Sequence, residues 1–216
     1  MTDTPFSETL KNATWGEHSQ AEDDGYLKAL MAGRLSRESY GEMVAQHYFA
    51  YLALDGTARQ LADDPVAGPF VRPELFREEA LIRDLTTIYG PSFRDRISPS
   101  KPTLTLVARI NQMADWPGGY VAHHYTRYMG DLSGGQFIRM GLQKIYGYGP
   151  GGGVDFYRFD IGSLPRFKED YRRRLDAMPV DGSERQRVIR ETRLAYQLNT
   201  EVLSDLGRSL PASTAA

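Results

Sequence analysis

The sequence predicts an all-α protein, folded as a single compact bundle of about seven or eight helices. Apolar residues recur at spacings of three and four along most of the chain, as on one face of a helix. No convincing run alternates polar and apolar residues as a strand does, and glycine and proline cluster between the periodic segments. At 216 residues, we expect one domain over residues 1–210 and a disordered tail over residues 211–216.

The first half of the chain contains three predicted helices. Apolar and small residues from Phe6 to Ala21 repeat with helical spacing and predict the first. Ser36 is a good helix-capping residue and predicts the start of the second, which runs to about residue 62. The third is expected from near Pro73 to the residue before Gly90.

The second half predicts four more helices and one loop. Residues 100–114 and 120–141 are predicted as the fourth and fifth helices. Residues 146–159 contain too many glycines for a helix and predict a loop. Residues 164–178 and 183–207 predict the helices that close the chain.

The fifth predicted helix contains four glycines, Gly130, Gly134, Gly135 and Gly141. Each interior glycine costs a helix about 1 kcal/mol relative to alanine. Gly130 and Gly134 are four residues apart and so lie on one helix face, where a missing Cβ lets another body approach the backbone. That body is either a neighbouring helix or a flat ligand, and the spacing alone favours neither.

A possible charge pair lies beside these glycines. Arg127 and Asp131 are also four residues apart, so they can pair on an adjoining helix face. One interpretation is an ordinary ion pair that stabilises the helix by a few tenths of a kcal/mol. The other is an ordered acid that holds water next to a surface without side chains.

Histidine is the remaining candidate for a soft metal or cofactor ligand, because the chain has no cysteine. The candidates are His18, His47, His123 and His124. No Glu-x-x-His or His-Glu-x-x-His spacing occurs, which disfavours a di-iron or zinc site. Lys11 precedes His18 by two helical turns, about 10 Å along the axis, roughly the separation between a haem iron and its propionates. A buried structural histidine and a solvated lysine remain the alternative.

Charge and hydropathy exclude several classes of partner. The net charge of −2 gives no reason to expect nucleic-acid binding. No run approaches eighteen apolar residues, and the first residues have no basic region followed by an apolar stretch. The sequence therefore predicts a cytoplasmic protein with no membrane anchor.

Two motifs resemble the haem oxygenase family. The segment AHHYTRYMGDLSGGQ, residues 122–136, resembles the distal-helix signature of that family, and LKNATWGEHSQAE, residues 10–22, is similar to its proximal-helix segment. Further blocks follow in the family's order over nearly the whole chain. The resemblance implies a helical fold that holds haem b between a proximal and a kinked distal helix. It also implies cleavage of haem to biliverdin, carbon monoxide and ferrous iron.

The resemblance assigns a role to each matching residue. It implies that His18 is the axial ligand of the haem iron and that Glu22 holds the other ring nitrogen. It implies that Asp131, with Arg127 and Tyr51, organises the water that delivers protons to oxygen. Gly130 and Gly134 would let the distal helix lie on the porphyrin. The remaining implied haem-binding positions are Lys11, Tyr125, Ser133, Lys168, Arg172 and Asn199.

The resemblance further implies O2 as co-substrate, electrons from a separate ferredoxin or flavoprotein reductase, a monomer, and cleavage at the α-meso carbon. The residues themselves leave two alternative functions open. A haem carrier would use His18 and the cations equally well, but it would not need Asp131 or the paired glycines. A helical enzyme of the thiamin-salvage type would need a catalytic cysteine, which this chain lacks.

Overall fold

The computed structural model describes residues 4–17, 25–149 and 151–210. These residues are mostly helical and include no strand, so the all-α prediction is confirmed. The helices are α1 (Phe6–Ala13), α2 (Gly25–Met31), α3 (Arg37–Gln60), α4 (Glu78–Tyr89), α5 (Lys101–Gln112), α6 (Pro117–His124), α7 (Gly130–Tyr146), α8 (Leu164–Asp176) and α9 (Gly182–Arg208).

Serine caps confirm two of the predicted helix starts. The Ser36 hydroxyl accepts a hydrogen bond from the Ser39 amide at 3.0 Å, and α3 begins at the next residue. Ser100 caps α5 in the same way through the Thr103 amide, at 3.3 Å. Such a cap satisfies an amide that the helix itself leaves without a partner.

The first predicted helix is shorter than its apolar pattern indicates. Helix α1 ends at Ala13, and Thr14 closes it. The Thr14 hydroxyl donates to the Leu10 carbonyl at 2.9 Å, and the chain turns there before residues 15–17 become helical again. The rest of the predicted helix, up to Ala21, lies outside the described residues.

The third predicted helix starts later than expected. Pro73–Leu75 form a separate single turn of 3₁₀ helix, and α4 begins only at Glu78. The buried Asp55 carboxylate on α3 accepts the amides of Arg77 at 2.8 Å and Glu78 at 3.1 Å. The start of α4 is therefore capped by a side chain distant in sequence, which no local pattern reveals.

The fifth predicted helix is three consecutive pieces. Helix α6 ends at His124, Tyr125–Met129 form one turn of π-helix, and α7 continues from Gly130. A π turn inserts an extra residue and rotates the next helical segment about the helix axis. The short helix α2 has no counterpart among the predicted elements.

The helices of the described chain pack around one core and leave a cleft along one face of α7. Helix α3 packs against α4 and α5, while α9 packs against α6, α5 and α2. Helix α1 packs against α8, and the buried apolar residues form one continuous core. The face of α7 that carries Gly130 and Gly134 lies at the edge of this core and lines a cleft.

The predicted loop is confirmed, apart from one turn of 3₁₀ helix at Asp155–Tyr157. The buried Asp84 carboxylate of α4 fixes that turn by accepting the amides of Asp155 and Phe156, both at 2.8 Å. Burial, opposed by these two bonds, raises the pKa of Asp84 to about 6. The predicted tail, residues 211–216, lies outside the described part of the chain.

Candidate functional site

A cleft follows the glycine-bearing face of α7 and has two parts. The lining of the inner part includes Arg127, Asp131, Gly134 and Asn199, and that of the outer part includes Lys11, Tyr125, Lys168 and Arg172. The inner part has a volume of about 190 Å³ and the outer part about 300 Å³. Gly130, Ser133 and Tyr196 line both parts, so the two parts adjoin each other. Half-buried acid and amide groups lie along the inner part, and basic side chains surround the outer part.

The four glycines of this region divide into two pairs with different roles. A Cβ added to Gly130 or Gly134 would meet no atom within 4 Å, because both face the cleft. A Cβ on Gly135 would lie 2.9 Å from Cδ1 of Tyr157, and one on Gly141 would meet the Met31 side chain of α2. Gly135 and Gly141 therefore allow close packing within the protein, and Gly135 also lines the inner part of the cleft with its backbone. Gly130 and Gly134 leave room for a ligand.

A hydrogen-bonded chain of four side chains links α7, α3, the π turn and α9. The Tyr51 hydroxyl donates to the Asp131 carboxylate and accepts from Nε of Arg127 at 3.2 Å. The Arg127 guanidinium also donates to Oδ1 of Asn199 at 3.1 Å. Asn199 in turn donates to the Ala195 carbonyl of its own helix at 2.7 Å. The structure thus brings Asp131, Arg127 and Tyr51, which the resemblance implies act together, into one chain with Asn199.

Burial and opposite charge act against each other in this chain. Burial raises the pKa of Asp131, although Arg127 and the Tyr51 hydroxyl favour its ionised form. For Arg127 the net effect of burial, Tyr51 and Asp131 is a raised pKa, so the guanidinium stays charged. Its Nη2 atom is buried and has no hydrogen-bond partner among the described residues. Such an atom favours an acceptor, such as water, in the adjoining cleft.

Arg127 and Asp131 do not form the direct ion pair that was one of the two interpretations of their spacing. No Arg127–Asp131 contact within 4.0 Å is present in the described part of the chain, and the Tyr51 hydroxyl connects them instead. The physical reason is the π turn, in which residues five apart stack and residues four apart are offset. The helix-stabilising ion pair is therefore not the role of Asp131.

The outer part of the cleft is basic. Lys11 of α1 and Lys168 and Arg172 of α8 all line it, together with Tyr125 of the π turn. Lys168 donates to the Ser133 hydroxyl at 2.8 Å, and Ser133 donates to the Met129 carbonyl at 2.6 Å. Burial and the neighbouring Arg172 both lower the pKa of Lys168. This cluster favours a ligand that brings negative charge.

The histidines of the described chain are engaged elsewhere. Nε2 of His123 is hydrogen-bonded to the Glu191 carboxylate at 2.9 Å, and Nδ1 of His124 is hydrogen-bonded to the Tyr171 hydroxyl at 2.8 Å. Burial lowers the pKa of His124 to about 3, and burial with Arg127 lowers the pKa of His47. None of the three lines the cleft.

Two predicted residues, His18 and Glu22, lie outside the described residues. The last described residue before them is Glu17, and Lys11, Thr14 and Trp15 just upstream line the outer cleft. Within the described ranges no group of three or more His, Asp or Glu side chains could hold a metal ion.

The sequence assigns no specific role to two residues at the site. The Tyr128 hydroxyl donates to Asp55 at 2.6 Å, and its ring packs edge-on against Tyr51 at 5.5 Å between centroids. This contact supports Tyr51 from behind. In the sequence, the four-residue spacing of Tyr51 and Asp55 on α3 indicates that the two side chains lie on one helix face. Trp15, which lines the outer cleft, has no such signal.

Comparisons with known proteins agree with this geometry. A family model described as "Heme oxygenase" matches residues 4–205. The chain is 35% identical to heme oxygenase 2 of Synechocystis sp. over 94% of its length and 83% of that protein. It is 32% identical to the heme oxygenase of Rhodella violacea, over 94% of the chain and 88% of that protein.

Solved structures give the same result. Heme oxygenase-1 of Synechocystis sp., crystallised in complex with heme, superposes with a TM-score of 0.89 at 33% identity, covering 94% of this chain and 92% of that one. The heme oxygenase of Leptospira interrogans superposes with a TM-score of 0.88 at 31% identity, over 94% of this chain and 100% of that one. No helix of the described chain is both long and apolar enough to cross a membrane.

Proposed function

The chain belongs to the haem oxygenase family, and from that premise we propose how its own residues carry out the reaction of that family. Haem oxygenases cleave haem oxidatively, and the substrate here is haem b with O2 as co-substrate. The products are biliverdin, carbon monoxide and ferrous iron. When bound, haem supplies the iron at which oxygen reacts and the ring carbon that is oxidised.

The observation that carries the proposal is the shape and charge of the cleft on α7. Gly130 and Gly134 present bare backbone to open space, as a flat ligand requires. A half-buried carboxylate, Asp131, lines the inner part of the cleft with these glycines, and three cations surround the outer part. A planar molecule with an apolar body and acidic groups at one edge fits this arrangement.

The resemblance supports His18 as the axial ligand of the haem iron and Glu22 as the partner of its other ring nitrogen. Such a partner fixes the tautomer of the ligating imidazole and orients its ring. The described residues support this assignment indirectly. His47, His123 and His124 lie away from the cleft, and Lys11 and Thr14, upstream of His18, line it.

Asp131 and Tyr51 are proposed to manage protons in the inner cleft. The Tyr51 hydroxyl, fixed by Arg127, keeps the Asp131 carboxylate directed at the cleft. Because burial raises its pKa, this carboxylate can take up and release a proton more readily near neutral pH than an exposed one. Water held between Asp131 and the unpartnered Nη2 of Arg127 would pass that proton to the reacting oxygen. Asn199 holds the guanidinium in place.

The basic outer cleft is proposed to bind the two propionates. Lys11, Lys168 and Arg172 supply the charges, while Tyr125 and Ser133 supply hydroxyl groups at the same edge. The Lys168–Ser133 hydrogen bond keeps the ammonium at the cleft until a carboxylate replaces the hydroxyl. These contacts set the rotation of the ring, and with Gly130 and Gly134 they are proposed to direct cleavage to the α-meso carbon.

The remaining proposals concern the whole protein. Residues 1–210 are proposed to act as one domain and as a monomer in the cytoplasm, with no nucleic-acid partner. Electrons are proposed to come from a separate ferredoxin or flavoprotein reductase.

Substitution of the proposed iron ligand tests this function. His18→Ala is expected to remain folded but to lose its ordinary haem absorption spectrum and to form no biliverdin. Added imidazole should restore both, because it can occupy the position of the missing side chain. Normal biliverdin formation by His18→Ala without imidazole would refute the assignment.

A further inference from the structure

We propose that Trp15 is a haem-contacting residue that covers the outer edge of the bound ring and positions Lys11 for a propionate. This inference rests on the proposed function, because it takes haem as the ligand of the cleft. It is based on an exposed indole, a lysine and two further cations that lie around the opening of the outer cleft.

Trp15 is placed at the cleft rather than in the core. Its side chain is 56% exposed, whereas most large apolar residues of the described chain are buried. It is helical with residues 16 and 17, directly after the turn at Thr14 that ends α1. Together with Met129, Leu175 and the basic residues, it lines the outer part of the cleft.

A large exposed aromatic side chain at a ligand opening differs from a scattered surface residue. Tryptophan carries more apolar surface than any other side chain, and burying it against a flat apolar ligand is favourable. Phe137 is even more exposed, at 69%, but it does not line the cleft. Exposure alone therefore does not distinguish Trp15 from other exposed apolar residues. Its position beside the proposed propionate contacts distinguishes it.

Contact with Lys11 gives Trp15 its second role. The Lys11 ammonium lies 5.7 Å from the centroid of the Trp15 ring, in the range of a cation–π contact. Lys11 is four residues earlier, so the two side chains lie on neighbouring turns of the chain. The ring face therefore holds the ammonium at the opening, next to Lys168 and Arg172. A propionate that arrives there meets a lysine that is already oriented.

The chain offers a simple spectroscopic test, because it contains two tryptophans. The other, Trp116, donates its indole N–H to Glu184 and lies under Arg187, at 4.4 Å between the guanidinium and the ring centroid. It lines a different surface pocket. Each indole N–H gives one signal in an amide-correlation NMR spectrum, and Trp15→Phe and Trp116→Phe assign the two.

The probe is zinc protoporphyrin IX, a diamagnetic analogue of haem, added to the apoprotein. A porphyrin ring current shifts nearby protons strongly and distant ones hardly at all. We expect the Trp15 indole signal to move and the Trp116 signal to stay in place. If the absorption spectrum shows that the porphyrin binds and the Trp15 signal still does not move, the inference is wrong. If the porphyrin does not bind at all, the proposed function itself fails.

Haem release gives an independent readout. We expect Trp15→Ala to transfer haem to excess apomyoglobin about tenfold faster than wild type, which corresponds to about 1.4 kcal/mol. Trp15→Phe should restore most of the retention, because it keeps an aromatic face for the ring and for Lys11. Phe137→Ala is the matched control and should release haem at the wild-type rate. Equal release rates for wild type and Trp15→Ala would overturn the inference.

Discussion

The atoms around each glycine of α7 show whether its missing side chain leaves room for a ligand or for another part of the protein. Gly130 and Gly134 face open space, whereas Gly135 and Gly141 lie against Tyr157 and Met31. The helical cost of a glycine is similar at all four positions, so only the surroundings separate them. This difference predicts opposite effects for the same substitution one residue apart.

Gly134→Ala is expected to raise the free energy of unfolding of the apoprotein by about 0.5–1 kcal/mol, because alanine favours the helix and meets no atom. Its haem affinity should fall, because the methyl group occupies the cleft. Gly135→Ala, the matched control, should lower apoprotein stability by about 1–3 kcal/mol, because its Cβ would crowd Tyr157. Thermal unfolding and haem titration measure both. Weaker haem binding from Gly135→Ala alone would contradict the assignment.

Asp131 and Tyr51 form a second residue-scale unit, joined by a direct hydrogen bond. Asp131→Asn is expected to bind haem nearly as tightly as wild type but to lose most biliverdin formation, because an amide cannot take up and release the proton. With peroxide, the variant should oxidise an added phenol instead of the haem ring.

Tyr51→Phe should cause a smaller loss, and the double variant should resemble Asp131→Asn alone, because both changes interrupt one chain of hydrogen bonds. Wild-type biliverdin rates in Asp131→Asn would show that this carboxylate has only a structural role.

At the scale of elements, Glu191 joins three helices through one buried carboxylate. On α9 it accepts from Arg109 of α5 at 2.8 and 2.6 Å and contacts His123 of α6 at 2.9 Å. Burial opposes its ionisation, but the hydrogen bonds from His123 and Arg109 hold the pKa of Glu191 at about 2. This junction fixes the part of α9 that leads to Tyr196 and Asn199.

Glu191→Gln is therefore expected to lower the free energy of unfolding at pH 7 by about 3 kcal/mol. Because the folded pKa lies below the ordinary value of 4.5, the stabilisation is complete above that pH. It is lost as the pH falls toward 2, so the difference between wild type and variant should shrink in that window. Denaturant titrations at pH 7, 4.5 and 3 measure this. Asp205→Asn, in an exposed pair with Arg208, should have little effect. A pH-independent difference would contradict the stated pKa.

Helix starts that depend on neighbouring residues could be predicted from the sequence. Ser36 and Ser100 cap helices that start where predicted, because capping depends on residues two or three positions away. The start of α4 was placed too early, since Asp55 caps it from a different helix. The seven-residue α2 is too short for a periodic pattern.

For the candidate site too, contacts between residues distant in sequence could not be predicted from local patterns. Motif resemblance identified Asp131, Arg127, Tyr51 and Asn199, and the fold does bring them into one chain of hydrogen bonds. The four-residue spacing of Arg127 and Asp131 also allowed a direct ion pair, because helical spacing assumes α geometry and does not reveal the π turn at Tyr125–Met129. The support of Tyr51 by Tyr128 depends on tertiary packing and was not identified.

At the scale of the whole molecule, cations from opposite ends of the chain meet at one cleft. Lys11 comes from α1, and Lys168 and Arg172 come from α8, which packs against α1. A ring held by its propionates can rotate only if these contacts are exchanged. About 1.4 kcal/mol gives a tenfold preference, so two or three such contacts suffice to select one orientation.

Wild-type enzyme is therefore expected to release the α isomer of biliverdin as its main product. Changing Lys11 and Lys168 together to alanine should let the ring rotate and yield β or δ isomers in measurable amounts. Chromatography of the extracted products identifies the isomers. Changing the exposed Lys101 and Lys144, which do not line the cleft, is the control and should leave the product unchanged. A β or δ main product from wild type would contradict the propionate contacts.

Turnover of haem itself tests the central claim most directly. The purified protein is mixed with one equivalent of haem under air, a reductase system is added, and the absorption spectrum is followed. The residues of the cleft predict that the haem band disappears, that a biliverdin band replaces it, and that carbon monoxide is released in equal amount. A haem band that persists, changing only in oxidation or oxygen binding, would show a haem carrier and contradict the assignment.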